Sequence, residues 1–210
     1  SKEAGAELEV YREVHAILNQ GKMAGPLRLT GEREAIFQDI HLLTSKPIFY
    51  VVNVDQEELR GEGACLKAMM KWAEREKSRM VVICGDLEAE ISELKEEERE
   101  EFRKELGLEG SSLERLVQVG YEILALITFY TTVSLELRAW TVPTGTPAPK
   151  AAGKIHSDME RGFIRAEIVS FQDFIACGSE HGAREKGLLR SEGKDYLIQD
   201  GDIVHYRFHV

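Results

Sequence analysis

The stretch Ile48-Phe49-Tyr50-Val51-Val52 is a continuous apolar run of β-branched and aromatic residues that ends at Asn53. A run without polar alternation favours a strand buried on both faces, as in a parallel sheet under helices. A second such run, Met80-Val81-Val82-Ile83-Cys84, ends at Gly85, and an amphipathic helix is predicted between them over residues 64–76. Strand, helix and strand with a right-handed crossover form a βαβ unit, which predicts part of an α/β sheet.

The segment before this unit is predicted to be helical. Apolar residues recur at helical spacing from about Glu3 to Asn19, and Thr30 resembles the N-cap of a second helix that runs to about Leu43. Their apolar stripes need burial, which a helical hairpin or coiled coil supplies. The chain opens in mid-helix without a methionine, and two strands do not make a stable parallel sheet. We therefore expect a fragment, or a sheet that another chain completes.

A different pattern follows the βαβ unit. The charged run Glu96–Glu105 predicts a solvated helix that ends at Gly107, and a further helix is predicted over 113–124. Beyond it, alternating β-branched and aromatic residues predict strands, and Asp200-Gly201 predicts a hairpin turn. The predicted strands cover residues 127–131, 137–142, 163–169, 196–199 and 203–208, with a short helix over 150–159. This order outlines a ubiquitin-like β-grasp.

The composition excludes some classes of protein. The 210 residues carry a formal net charge of −10, which argues against broad electrostatic capture of nucleic acid. Three distant cysteines and six scattered histidines lack the spacing of a zinc site or a disulfide framework. No stretch approaches the roughly 20 apolar residues of a membrane span, and no signal peptide is recognised. We expect a cytoplasmic protein that binds no metal through this chain.

Several short motifs resemble one known family in their order along the chain. The segment from Leu42-Leu43-Thr44-Ser45-Lys46-Pro47 into Tyr50-Val51-Val52-Asn53-Val54 is similar to the base-recognition strand of YchF-type Obg-like ATPases. The C-terminal segments are similar to the TGS domain of that family: Leu126–Tyr130, Arg138–Thr141, Ala151–Asp158, Gly162–Glu167, Glu192–Tyr196 and Gln199–Asp202. The likeness extends over essentially all 210 residues.

The resemblance implies a discontinuous architecture. Residues 1–43 would be the return part of a helical, coiled-coil insertion arm. Residues 44–122 would be the C-terminal part of a Ras-like P-loop NTPase domain, and residues 123–210 an α+β β-grasp TGS domain. The family binds ATP or GTP with Mg²⁺, but this chain contains no G-x-x-x-x-G-K-[ST] motif. The phosphate and metal ligands are therefore expected outside it, with no catalytic residue within it.

The strand ends carry the candidate base-binding residues, which are Asn53, Val54, Gln56, Cys84 and Gly85. Ligands approach parallel sheets at the carboxyl ends of strands. GTPases read guanine there with Asn-Lys-x-Asp, whereas this chain has Asn-Val-Asp-Gln and so lacks the acceptor-only carboxylate. An asparagine amide can donate to adenine N7 and accept from the N6 amino group. Asn53 is thus the leading base reader, although it could also simply end the strand; a backbone amide near Gly85 could contact the purine edge.

The resemblance also implies association with ribosomes. Four basic residues in the TGS-like segment are candidate contacts to ribosomal RNA: Lys150, Lys154, Arg161 and Arg165. Ordinary solvated charge is the alternative for them. Phe129 and Trp140 could stack on RNA bases, although strand aromatics more often belong to a core. Two functions stay open: part of an ATP-hydrolysing protein with GTP second, or a ribosome- or RNA-binding module without turnover.

Overall fold

The computed structural model describes residues 2–60, 63–108, 110–133 and 136–209. The chain divides into two compact units, Ser1–Ser112 and Leu113–Val210. The domain boundaries expected from the sequence, at 43/44 and 122/123, remain a prediction. Within the described residues, no helix combines the length and apolar character that crossing a membrane would require.

The first unit alternates helices with two short strands. Its elements are α1 (Lys2–Asn19), α2 (Glu32–Asp39), β1 (Phe49–Asn53), α3 (Ala64–Glu76), β2 (Arg79–Ile83), α4 (Gly85–Glu93) and α5 (Glu96–Glu105), with 3-10 turns at Leu43–Ser45 and Gln56–Arg60. Helices α1 and α2 pack on each other around a small core of Val10, Val14, Ala24 and Phe37. The expected helical pairing is therefore present. The N-cap predicted at Thr30 is wrong, because Gly31 takes that position at a φ of 61° and makes no side-chain cap.

Strands β1 and β2 pair in parallel, from Phe49 opposite Arg79 to Asn53 opposite Ile83, and α3 packs against both. The order strand, helix, strand is as predicted. The prediction that β1 is buried on both faces is wrong, because Val51 is 44% exposed and Tyr50 is half-buried. In the described part of the chain this sheet has two strands, so little covers the second face of β1.

The second unit is built on a five-stranded sheet. Its elements are α6 (Ser112–Ile123, which starts at the unit boundary), β3 (Leu126–Val133), β4 (Glu136–Pro143), α7 (Ala148–Ile155), α8 (Ser157–Arg161), β5 (Phe163–Ser170), α9 (Phe171–Cys177), α10 (Glu180–Glu185), β6 (Arg190–Glu192) and β7 (Asp202–Phe208). The strand order is β4-β3-β7-β5-β6. Strands β3 and β7 are parallel, and the other neighbours are antiparallel. The unit is therefore a mixed sheet with helices, and the β-grasp assignment from the sequence stays a prediction.

Alternating residues of these strands build one continuous core. Phe129, Ile168 and Val204 are almost completely buried on one face of the sheet, where α7 packs. Helix α7 contributes three fully buried alanines, and small side chains let its backbone approach the sheet closely. The opposite face carries a smaller cluster with α9 and α10, which includes Val169, Ala183 and Ile203.

Two predicted details of this unit are wrong. Residues 196–199 form no strand: Leu197 makes only an isolated bridge to Pro147, and the edge strand beside β5 is β6 at Arg190–Glu192. Asp200-Gly201 instead connects to β3, because Asp200 accepts a hydrogen bond from the Thr128 amide and Gly201 donates to the Thr128 carbonyl, both at 2.8 Å.

The helix predicted over 150–159 is interrupted. His156 takes an extended conformation between α7 and α8, and its Nδ1 accepts a hydrogen bond from the Asp158 amide at 3.2 Å. Helix α8 ends at Arg161, and a Cβ on the following residue, Gly162, would collide with the backbone carbonyl of His209. Only glycine fits this close approach of two backbone segments.

Candidate functional site

The carboxyl ends of β1 and β2 bring Asn53 and Gly85 together. The parallel register ends with Asn53 opposite Ile83, and the Val54 amide donates to the Ile83 carbonyl at 2.9 Å. Just beyond, the Asn53 Oδ1 accepts a hydrogen bond from the Gly85 amide, also at 2.9 Å. Asn53 therefore joins the end of one strand to the segment after the other. Asn53 as a residue is exposed.

The other three candidate base-binding residues differ in what they present. Val54 and Cys84 are buried, with 9% and 4% exposure, so only their backbones could reach a ligand. Gln56 is exposed and begins the turn Gln56–Arg60. Gln56 lines a small cavity of about 180 Å³ with four leucines and Gly107; Asn53, Cys84 and Gly85 do not line it. Ligand pockets usually hold about 300–1,000 Å³, so this cavity takes only part of a nucleotide.

The segment after β2 is a helix that was not predicted from the sequence. Gly85 is the first residue of α4, whose first turn carries Asp86 and Glu88. Burial opposes the ionisation of Glu88, but hydrogen bonds from Ser112 and the charge of Arg103 outweigh it, and the pKa of Glu88 lies below its usual value. Glu88 accepts from the Ser112 amide at 2.8 Å and lies 3.5 Å from Arg103. These contacts hold α4 in place. The acidic first turn and the apolar pair Leu87 and Ile91 were the available signal.

Three of the four basic candidate residues are neutralised by nearby carboxylates. Lys150 lies 2.5 Å from Glu160, Arg161 pairs with Asp158, and Arg165 lies 2.9 Å from Glu167. Lys154 is exposed and has no ion-pair partner in the described part of the chain. The local excess of positive charge that the sequence suggested is therefore much reduced.

Glu167 is the centre of a cluster of charged residues that was not predicted from the sequence. It is 9% exposed, and its carboxylate receives hydrogen bonds from Arg165 and Arg207, with Arg184 at 3.7 Å. The hydrogen bonds from Arg207 and Arg165 lower the pKa of Glu167 to about 2, against the effect of burial. Strand register could have revealed the cluster, since Arg165 lies opposite Arg207 and Glu167 opposite His205.

This cluster also contains the potential metal ligands of the described residues, Glu167, Glu180 and His205, whose ligand atoms lie within 4.8 Å of one another. Three arginines surround the central carboxylate, so a cation would have to displace strong ion pairs against like charge. We interpret the group as an ion-pair network across β5, β7 and α10.

The two strand aromatics have structural contacts. Phe129 is fully buried, which confirms the core interpretation for it. Trp140 is half-buried, and its Nε1 donates to Thr131 Oγ1 at 2.9 Å. The residue lines a cavity together with Ile155 of α7 and Met159 of α8.

Sequence comparison places these features in one class of protein. A family model named YchF-GTPase_C, described as "Protein of unknown function (DUF933)", matches residues 126–209. Curated relatives of the YchF family match the whole chain, and they align to it through their C-terminal part. The chain belongs to the YchF family, as the resemblance of its motifs indicated.

The individual relatives make the match specific. The chain is 41% identical over 211 residues to "Ribosome-binding ATPase YchF" of Bacillus subtilis (strain 168), and 44% identical over 209 residues to the protein of that name from Escherichia coli O157:H7. It covers 58% and 57% of these relatives, so it spans little more than half of their length. The structure of the Schizosaccharomyces pombe YchF GTPase is 30% identical, with a TM-score of 0.83 over 95% of this chain and 53% of that one.

Proposed function

We propose that this chain provides the base-recognition side of a purine-nucleotide site in a protein that hydrolyses ATP, with GTP as the second substrate, and that associates with ribosomes. The observation that carries the proposal is the hydrogen bond between Asn53 Oδ1 and the Gly85 amide at the carboxyl ends of two parallel strands. Ligands bind α/β sheets at this edge. The names of the relatives, ribosome-binding ATPase and GTPase, support the activity and the partner.

The two polar atoms of the Asn53 amide, Oδ1 and Nδ2, have different roles in this proposal. Its Oδ1 holds the Gly85 amide, and the second lone pair of that oxygen stays available for an amino group. Its Nδ2, on an exposed residue, can donate to a purine N7. Adenine offers both partners, an N7 acceptor and an N6 amino donor. Gln56, in place of the carboxylate of a GTPase motif, cannot accept two bonds from guanine as an ionised acid does. This chemistry favours ATP over GTP.

The phosphates of a bound nucleotide need a phosphate-binding loop, and residues 1–210 contain no G-x-x-x-x-G-K-[ST] motif. In this proposal the phosphate loop and the metal ligands belong to a part of the protein outside residues 1–210. The base side then fixes which nucleotide is bound, and the phosphate side hydrolyses it.

Ribosome association is the part of the proposal that rests most on the relatives. The only one of the four candidate basic residues without an ion-pair partner in the described ranges is Lys154, so a broad basic surface does not explain RNA binding. The alternative function, an RNA- or ribosome-binding module without turnover, would use the same residues.

Calorimetric titration of the complete gene product with ATP and GTP tests the nucleotide site. Asn53→Ala should weaken ATP binding by about 1–3 kcal/mol, the value of a good bidentate base contact. Asn53→Asp is the matched control, because a carboxylate still accepts from the Gly85 amide but cannot donate to N7. It should also lose ATP affinity and shift preference toward GTP. Unchanged ATP affinity in both variants would exclude Asn53 from the site.

A hydrolysis assay separates this proposal from turnover within the chain. The purified chain of 210 residues should release no phosphate from ATP above a protein-free blank, because charge stabilisation by the metal and phosphate loop carries most of this catalysis. Steady ATP hydrolysis that copurifies with the chain and disappears in Asn53→Ala would contradict the proposal that hydrolysis needs residues outside 1–210.

A further inference from the structure

Strand β4 forms a free edge of the five-stranded sheet. It is the terminal strand in the described part of the chain, and its eight residues pair with β3 in a regular antiparallel register. Edge strands are usually short, bulged, interrupted by proline or protected by charge, because their unpaired backbone groups can bind another strand. The one proline of β4 is its last residue, and its two charged residues, Glu136 and Arg138, form an ion pair with each other at 2.7 Å. The edge is therefore long and carries little protection.

The hydrogen-bond pattern shows which backbone groups of β4 point outward. The Thr144 amide donates to the Ala125 carbonyl at 2.7 Å, so these two residues form a hydrogen-bonded pair. In an antiparallel ladder such pairs alternate with pairs whose N–H and C=O groups point away from each other. Leu137, Ala139 and Thr141 therefore direct their N–H and C=O groups away from β3. No backbone hydrogen bond joins these three residues to a further strand or loop in the described ranges.

The side chains of these three residues leave the edge accessible. Leu137 is 67% exposed, and Ala139 is also exposed. Thr141 is half-buried, and its Oγ1 lies 3.1 Å from the Tyr121 hydroxyl, a contact of the side chain rather than of the backbone. A further strand can thus approach, and it would cover part of the exposed leucine.

The positions of the outward groups decide how two copies of β4 can pair. Leu137, Ala139 and Thr141 are spaced symmetrically around Ala139. An antiparallel, two-fold arrangement centred on Ala139 therefore sets Leu137 opposite Thr141 of the second copy and Ala139 opposite itself. It is the one two-fold register in which all three outward-facing residues pair with one another, as hydrogen-bonded pairs.

This register also brings compatible side chains together. Arg138 lies opposite Trp140 of the second copy, and a guanidinium group over an indole ring is favourable. Glu136 lies opposite Val142 of the second copy, so no like charges are directly opposed. The neighbouring two-fold register toward the start of β4 would set Arg138 opposite itself, which is unfavourable. The one toward its end would set Leu137 opposite Pro143, which has no N–H to donate.

We propose that β4 is the interface of a homodimer, in which the β4 strands of two copies of this chain pair antiparallel around Ala139. The sheet of one copy then continues into the sheet of the other. A second copy is the partner because the strand is complementary to itself in both backbone and side chains. The interface lies wholly in the second unit and does not involve Asn53 or Gly85, so it holds or fails independently of the proposed nucleotide function.

Sedimentation equilibrium combined with hydrogen exchange tests the proposal on the chain of 210 residues. The measurement needs about 0.5 M salt, which screens the repulsion between two chains of net charge −10. The mass should rise with concentration from 23.7 kDa toward twice that value. Over the same range, the amides of Leu137, Ala139 and Thr141 should become protected. The amides of residues 136, 138 and 140 should not change, because β3 already binds them.

Ala139→Pro is the discriminating variant. Proline is tolerated in edge strands where the N–H faces solvent, so the fold, checked by circular dichroism, should be retained. Two intermolecular hydrogen bonds are lost, and the dimer dissociation constant should rise by about tenfold or more. Ala139→Asp weakens the dimer without a backbone constraint, because two carboxylates would lie opposite each other. Ala139→Ser, a neutral change at the same position, is the matched control and should leave the dimer unchanged.

Three results would overturn the proposal. The first is a chain that stays monomeric up to about 1 mM. The second is a dimer in which the amides of Leu137, Ala139 and Thr141 exchange as in the monomer, which would mean that the copies associate through another surface. The third is equal dimerisation of Ala139→Pro, Ala139→Asp and Ala139→Ser.

Discussion

The two units of the chain differ in how completely they bury their own sheets. The unit Leu113–Val210 encloses a five-stranded sheet with helices, and Phe129, Ile168 and Val204 have at most 1% exposure. The unit Ser1–Ser112 has a two-stranded sheet, and Val51 of β1 is 44% exposed. Its buried residues are divided between small clusters, such as the one of α1 and α2 and the one around Ile91.

This difference separates stability from function. A continuous core stabilises the second unit, so its polar contacts are largely committed to structure, as the arginines around Glu167 show. The first unit leaves strand ends and side-chain amides open, and its candidate site consists of such groups. Substitutions should therefore affect the free energy of unfolding most in the second unit and ligand binding most in the first.

Phe129→Ala should cause the largest loss of stability. The ring is fully buried and packs edge-on against Tyr206, with ring centroids 6.1 Å apart. Truncation should lower the free energy of unfolding by about 3–5 kcal/mol. Trp72→Phe leaves Trp140 as the sole tryptophan, so tryptophan fluorescence during urea unfolding in that background reports on the second unit. Phe129→Leu is the control with a smaller expected loss, and equal losses would contradict the importance of this ring.

Glu167→Gln should have the next largest effect, and that effect should depend on pH. Removing a carboxylate from among three arginines should cost about 2 kcal/mol at neutral pH. The pKa of Glu167 is lowered in the folded state, so its contribution is present above the unfolded pKa near 4.5 and is lost as the pH falls toward about 2. Urea unfolding of both proteins from pH 7 to 2.5 should show that the difference in the free energy of unfolding between wild type and Glu167→Gln becomes smaller as the pH falls.

The control for that prediction is Glu136→Gln. Glu136 pairs with Arg138 at 2.7 Å, but both side chains are more than 60% exposed, so the pair is solvated. Its loss should change the free energy of unfolding by less than about 1 kcal/mol at any pH. A stability difference between Glu167→Gln and wild type that stays constant down to pH 2.5 would contradict the ion-pair network.

Asn53→Ala should destabilise only the first unit, by about 1 kcal/mol, because it removes one hydrogen bond at an exposed position. Hydrogen exchange should accelerate at the Gly85 amide and leave the second unit unchanged. Gly85→Ala is the matched control: a Cβ there would lie 3.4 Å from Asn53 Oδ1, an ordinary contact, so the bond should persist. If the Gly85 amide exchanges equally slowly in wild type and in Asn53→Ala, the hydrogen bond to Asn53 does not protect it in solution.

The smallest effect is expected at Val51. Val51→Thr places a hydroxyl at a position that is 44% exposed and should change stability by less than about 0.5 kcal/mol. The same change at Val204, which is 1% exposed, should cost about 1–3 kcal/mol because the hydroxyl is buried. Comparable losses at both positions, measured by urea unfolding, would mean that the β1 face is covered in solution.

The sequence predicted most strands of the five-stranded sheet because local signals there agree with the fold. Strands β3, β4, β5 and β7 are long and aromatic or β-branched, so periodicity finds them. It missed β6, whose three residues Arg190–Glu192 are polar. The hairpin at Asp200-Gly201 was wrongly predicted because a turn signal does not say which strands it joins. Here the bonds to Thr128 and the bridge between Pro147 and Leu197 decide the pairing.

Only one feature of the candidate site could be predicted from the sequence, namely that its residues lie at the ends of two strands. Asn53 and Gly85 follow apolar runs, so the sequence places both at one edge of the sheet. It could not show that Gly85 begins a helix or that its amide binds Asn53, because that contact joins residues 32 positions apart. The ion pairs that neutralise Lys150, Arg161 and Arg165 were equally invisible, since they depend on side-chain geometry.

The central claim is that the Asn53 amide reads a purine, and an adenosine titration tests it most directly. Adenosine has the base without the phosphates, so the chain of 210 residues is sufficient for the experiment. We predict that adenosine shifts the Asn53 side-chain Nδ2 signals and the Gly85 amide signal in a saturable way, and that guanosine shifts them less. Adenosine binding that shifts other residues while these two signals stay fixed would contradict it.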